Sequence, residues 1–148
     1  MNQPVHVKEI VLYADDDPDD LELLENTFLP YPQMKLKTFA NGAGILAYLR
    51  RLSGSDQLPC LNILDINMPL LNGWDTLKEL KKLDIARDIP VLFFSTSVAQ
   101  RHKQANIENN ISIIAKPASL AEAGLVMEKI IAHCPAALQN KFRKFSSK

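Results

Sequence analysis

Five short apolar runs, KEIVLYA, MKLKTF, CLNIL, PVLFF and ISIIA, recur along the chain, and a helical pattern follows all but the fourth. No other feature constrains the fold as much. Each run is partly β-branched or aromatic and is bounded by turn or charged residues, which is how strands read. Between and after them, apolar residues fall at helical spacing: Leu21, Leu24 and Phe28; Ile45, Leu49 and Leu52; Trp74, Leu77 and Leu80; Leu120, Ala123, Gly124, Met127, Ile130 and Ile131. Those spacings place one apolar stripe on each helix. In the segment 98–107, Arg101, His102, Lys103 and Gln104 dilute any such stripe, so a helix there is expected from context alone.

Parallel strands need crossover connections, so strict alternation predicts an α/β fold with helices on both faces of a parallel sheet. The expected version is the flavodoxin-like doubly wound sheet, five strands in the order 2-1-3-4-5. At 148 residues and 47% hydrophobic composition the chain suits one domain with a substantial core. That domain is placed at 5–134, followed by a short basic C-terminal extension at 135–148.

Seventeen basic and seventeen acidic residues cancel, which leaves no overall field to draw the chain to nucleic acid or membrane. The opening MNQPVHVKE lacks the apolar run of a signal peptide, and no stretch approaches the ~20 apolar residues of a membrane span. A cytoplasmic protein without a membrane segment or DNA-binding domain is expected, with a homodimer left open. Cys60 and Cys134 are far apart without the paired spacing of metal sites or disulfide frameworks, and are expected to be reduced and partly buried. The extension carries Lys141, Arg143, Lys144 and Lys148 around Phe142 and Phe145. It reads as a solvated end, with contact to an acidic partner or RNA as the alternative.

In doubly wound sheets ligands bind beyond the carboxyl ends of the strands, where strand order reverses. The first strand ends in Asp15 and Asp16, the third in Asp65, the fourth in Ser95 and Thr96, the fifth in Lys116 followed by Pro117. Three carboxylates, two hydroxyls and one ammonium therefore converge on one edge. Asp17 can cap a helix beginning at Pro18, and Asp19 and Asp20 suit its first turn, so these three are given no chemical role. Asp15 and Asp16 precede that cap and would repel each other without a cation. Oxygen donors with no His or Cys nearby point to Mg²⁺ and not to zinc. Beside such a cation the Asp65 carboxylate can act as a nucleophile toward phosphorus, although a turn-forming aspartate is the plainer reading. Lys116 suits a phosphate contact, aimed inward by a cis bond at Pro117. Ser95 and Thr96 either cap the next helix or bond a phosphoryl oxygen.

YADDDPDD, LDINMPLLNG, PVLFFSTS and IIAKP, in that order, resemble the response-regulator receiver family over nearly the whole chain. The DDDPDD start and the STS segment are similar to single-domain receivers that pair with phytochrome-type kinases. The resemblance implies that Asp65 is the phosphoacceptor, that Asp16 and Asp65 ligate Mg²⁺ while Asp15 assists through water, and that the Asn67 carbonyl completes the protein ligands. It further implies that the Ser95 hydroxyl and the Thr96 amide contact the phosphoryl group and that Lys116 is the family's lysine. Receivers commonly carry an aromatic residue at the position of Ile113, so the usual aromatic relay cannot operate here. The implied function is a response regulator that takes a phosphoryl group from a sensor histidine kinase or histidine phosphotransfer protein and acts on a protein target in trans. Such a chain promotes its own phosphorylation and dephosphorylation and is not a turnover enzyme. An aspartate-nucleophile phosphatase is the rival, weakened by Asn67 where those enzymes place a second acid. A flavin-binding protein or a phosphate-independent binding module are further alternatives.

Overall fold

The computed structural model describes residues 9–96 and 111–134. Five strands, β1 (Glu9–Ala14), β2 (Met34–Phe39), β3 (Leu61–Asp65), β4 (Val91–Ser95) and β5 (Ile111–Ala115), form one sheet in the order β2-β1-β3-β4-β5. Every neighbouring pair is parallel. The predicted flavodoxin-like order and all five strands are observed. Among the described residues, helices α1 (Pro18–Phe28), α2 (Gly42–Arg51) and α3 (Gly73–Lys81) provide crossovers, and α4 (Leu120–Ala132) follows the last strand. The helix expected at 98–107, Ser97 and the basic extension at 135–148 lie outside the described residues, and no helix among those described is long and apolar enough to cross a membrane.

Burial on both faces explains why the central strands β1, β3 and β4 read as largely apolar runs, whereas the edge strands β2 and β5 are mostly half-buried. Alternate side chains of β1 serve opposite sides: Val11 and Tyr13 join Leu24, Phe28, Met127 and Ile130 in one core, whereas Ile10, Leu12 and Ala14 join Ile45, Leu49 and Leu80 in the other. Each helix starts on a polar cap whose side chain accepts a backbone N–H, from Asp17 (for Asp19), Asn41 (for Gly44), Asn72 (for Asp75) and Ser119 (for Glu122). The Asp17 cap with Pro18 behind it is as expected.

The stripe of α4 differs from the predicted one. Its buried members are Ala123, Val126, Met127 and Ile130. Leu120 is the first helical residue, ahead of the first one to meet the core, and is exposed; Gly124 lies off the stripe, with nothing within 4 Å of where a Cβ would stand. The two cysteines form no disulfide; Cys60 is half-buried, as expected, whereas Cys134 is buried, and they meet across the fold at an Sγ–Sγ distance of 3.2 Å.

One residue of the sheet conflicts with its surroundings. Asn62, in β3, is wholly buried, and neither the oxygen nor the nitrogen of its side-chain amide has a hydrogen-bond partner. A buried amide left unpaired costs about 1–3 kcal/mol, whereas an apolar group of the same shape carries no such penalty. Asn62→Leu is therefore expected to stabilise the protein by about 1–2 kcal/mol, read as a higher urea midpoint at unchanged slope; a lower midpoint would show that the amide is satisfied in solution.

Candidate functional site

The carboxyl ends of β1, β3 and β5 bring their terminal side chains to one place. Asp15 follows β1 and is completely buried, with both carboxylate oxygens engaged. Its Oδ2 accepts from the Tyr13 hydroxyl at 2.6 Å and lies 2.8 Å from Lys116 Nζ, while its Oδ1 accepts from the Asp17 amide at 2.9 Å. Asp65, the last residue of β3, is 5% exposed and stands 3.4 Å from the same ammonium. Asp16 is exposed beside them. One carboxylate oxygen from each of Asp15, Asp16 and Asp65 falls within 4.8 Å of the others, enough for a single ion to reach all three.

Lys116 enters from the end of β5, where its amide donates to the Ser95 carbonyl at 2.9 Å. The described residues contain no cis peptide bond. The expected cis form of Pro117 is thus not what aims the lysine; the ladder bond to β4 and the carboxylates around its Nζ do so. Asp20 corrects a second expectation. Assigned only to the first turn of α1, it in fact places its carboxylate 2.7 Å from Lys116 Nζ, the shortest ion pair of the group.

The electrostatics follow from counting charges, since one ammonium faces four carboxylates. Asp65 is pushed up to about 6, mainly by burial and then by the Asp15 charge, against the opposing pull of Lys116 and a hydrogen bond from the Asn67 backbone. Burial also raises Asp20, partly offset by Lys116. For Lys116 burial alone would favour the neutral amine, but the hydrogen bonds to Asp15 and Asp20 outweigh it and hold the ammonium firmly charged. Tyr13 is raised by burial and then by Asp15, which keeps it a hydroxyl donor.

Ser95 closes β4 and is 1% exposed, one residue beyond the Phe94 that pairs with Asp65. Thr96 follows it and is exposed. Ile113 is half-buried against the core that holds Phe93 and Ile66.

Two contributors had no separate signal in the sequence. Tyr13 reads as one more buried strand residue, and only the fold shows its hydroxyl on Asp15. Gly73, at the start of α3, passes so close beneath the site that a Cβ would stand 2.7 Å from the Asp65 carbonyl oxygen and 2.9 Å from the Ile66 Cα. Its amide donates to the Ile66 carbonyl at 2.9 Å, which docks α3 under the β3 tip. The intervening loop is wound tightly enough to place Leu70 at a φ of 68° with its side chain 93% exposed.

The response regulator receiver domain family matches residues 11–125. The chain belongs to that family. Among curated relatives this receiver is 31% identical over 145 residues to the two-component response regulator ARR15 of Arabidopsis thaliana, covering 93% of the chain and 69% of the relative. Among solved structures it resembles the phosphorylated cyanobacterial phytochrome response regulator RcpA, with a TM-score of 0.72 and 23% identity over 88% of this chain and 96% of that one. It also resembles the Mn²⁺-bound form of response regulator Rcp1, with a TM-score of 0.67 and 19% identity over 81% and 92%. At these identities the structural likeness speaks for the fold, and the family match carries membership: a receiver domain of two-component signalling.

The raised Asp65 has a consequence for the metal-free receiver. Its folded pKa of about 6 exceeds the unfolded value of about 3.9, so the folded state binds this proton more tightly. The contribution to stability is present at low pH and is lost as pH rises through about 6. With EDTA present, Asp65→Asn should exceed wild type in stability by about 1–3 kcal/mol at pH 8, and the gap should narrow as pH falls below about 6 and close near about pH 4. Urea titrations across that range check it, and a gap that is independent of pH would refute the assignment.

Proposed function

We propose that the protein accepts a phosphoryl group on Asp65 from a phosphohistidine of a sensor histidine kinase or histidine phosphotransfer protein. The reading rests on one observation: Asp65 lies within reach of both a lysine and two further carboxylates that together can hold a divalent cation. In the step itself an Asp65 carboxylate oxygen attacks phosphorus in line, the P–N bond to the imidazole breaks, and an acyl phosphate forms. Lys116 meets the charge on the transferring oxygens, and the Ser95 hydroxyl and Thr96 amide are assigned to the same oxygens.

The donor set suits Mg²⁺: hard carboxylate oxygens from Asp15, Asp16 and Asp65, with the Asn67 carbonyl as a further ligand, and no nitrogen or sulfur donor among them. When bound, such an ion would neutralise the acidic cluster and the incoming phosphoryl charge. Since both Asp15 oxygens already accept protein hydrogen bonds, Asp16 and Asp65 are the direct ligands in this reading and Asp15 acts through water. The Mn²⁺ named for Rcp1 supports a divalent cation as a ligand of this fold.

The attached charge would draw the Ser95 loop inward and bias two packings near β4 and β5, altering a surface read by a protein target. With isoleucine at position 113 this shift proceeds without an aromatic side chain turning inward. Incubation with acetyl phosphate and Mg²⁺ should give a single phosphoryl adduct by intact mass spectrometry, absent in Asp65→Asn and prevented by EDTA. An adduct that persists in the variant would reject Asp65 as acceptor. Lys116→Met should retain the fold and form the adduct roughly 100-fold more slowly, measured as the initial rate of adduct appearance.

A further inference from the structure

At the opposite, amino-terminal end of the sheet the two thiols form a second arrangement of reactive groups. Cys60 immediately precedes β3, and its amide donates to the Ile10 carbonyl at 2.8 Å, which fixes its backbone to the start of β1. Cys134 lies just past the C-cap of α4, held by its amide to the Ile131 carbonyl at 3.0 Å. Although 74 positions separate them, the sulfurs are 3.2 Å apart. A disulfide needs about 2.0 Å, so roughly 1 Å of side-chain adjustment separates contact from bond. Both residues line a cleft of about 540 Å³ together with Leu58, Pro59 and Ile89, which gives a small reagent access to them. Asp84 and Asp88 stand on the cleft wall and disfavour anionic oxidants.

From this geometry we infer that Cys60 and Cys134 are an oxidation site, which a neutral hydroperoxide converts to an intrachain disulfide tying the end of α4 to the start of β3. Cys60, the more exposed sulfur, attacks the distal peroxide oxygen; the O–O bond breaks, water or alcohol leaves, and a sulfenic acid remains. Cys134 then attacks the Cys60 sulfur, the S–O bond breaks, and its thiol proton departs with the hydroxyl as water. Two thiols lose two electrons in total and the peroxide gains them. The Cys134 thiol is raised by its hydrogen bond to Cys60 and by burial, which leaves it slow toward free peroxide; it takes the second step because the partner sulfur is already in contact. The bond closes a ring containing β3, α3, β4, β5 and α4. Ring closure over that length restricts the unfolded chain strongly and should raise Tm by roughly 10 °C.

The full chain, reduced and then treated with hydrogen peroxide, should lose two hydrogens by intact mass, resist iodoacetamide after denaturation, and yield a cross-linked peptide pair containing Cys60 and Cys134. Its Tm should rise accordingly, and dithiothreitol should reverse every change. Cys60→Ser and Cys134→Ala should each abolish both the mass loss and the Tm rise. Oxygen adducts on separate cysteines, a disulfide between two chains, or an internal disulfide with unchanged or lower Tm would each overturn the inference, and the wild-type mass decides it even if a variant folds poorly.

Discussion

One ammonium among four carboxylates governs the carboxyl edge of this protein. Lys116 lies between Asp15, Asp20 and Asp65 at 2.8, 2.7 and 3.4 Å, with Asp16 beyond. Its single charge leaves the cluster strongly negative. Fully buried Asp15 is sustained by neutral donors, the Tyr13 hydroxyl and the Asp17 amide, whereas Asp65 has a smaller share and holds its proton longer. The edge is therefore destabilised without a cation, and this deficit makes the same residues receptive to one. The proposed metal affinity and the local instability would then have a common origin in the packing of like charges.

That packing is possible because the strands carrying it are held from both sides. β1, β3 and β4 are buried along nearly their whole length, so a few kcal/mol of repulsion at their tips does not displace them. Gly73 shows how closely the supporting layer fits. The start of α3 passes directly under the Asp65 backbone, in space that no side chain can enter without moving it. Leu70, in the loop above, adopts a left-handed φ that costs a residue with a Cβ roughly 1–2 kcal/mol. Strain in that loop and charge crowding beside it both lie next to Asp65.

The fold was legible in the sequence because its governing constraint is local and repetitive. Strands buried on both faces appear as unbroken apolar runs, and crossovers between parallel strands must be long enough to hold a helix. The chemical residues at the strand ends were legible for the same reason, since the fold rule says where a strand tip points. What escaped were contacts made by residues with another adequate explanation. Asp20 satisfied the preferences of a first helical turn, and Tyr13 those of a buried strand, so neither called for a partner. The cysteines were read by spacing along the chain, which carries no information on two elements joined through a three-dimensional sheet. The apolar stripe of α4 began one turn late, at Ala123, because periodicity cannot say where along a helix contact with the core starts.

Ile113 shows how the two kinds of information combine. Its position on β5 pairs with Phe93, and it packs with the core of the α2 and α3 face. An aromatic ring there would have two stable places, core or surface, whose exchange can report a distant charge. A branched aliphatic side chain has no polar edge to favour solvent, so its packed position is the single favourable one. Any switch in this protein must then depend on groups that do have two satisfactory environments. Ser95 and Lys116 are both polar, sit at strand ends, and are joined through the bond between the β5 and β4 backbones. In the proposed function, a displacement of the Ser95 carbonyl would reach the Lys116 amide through this bond.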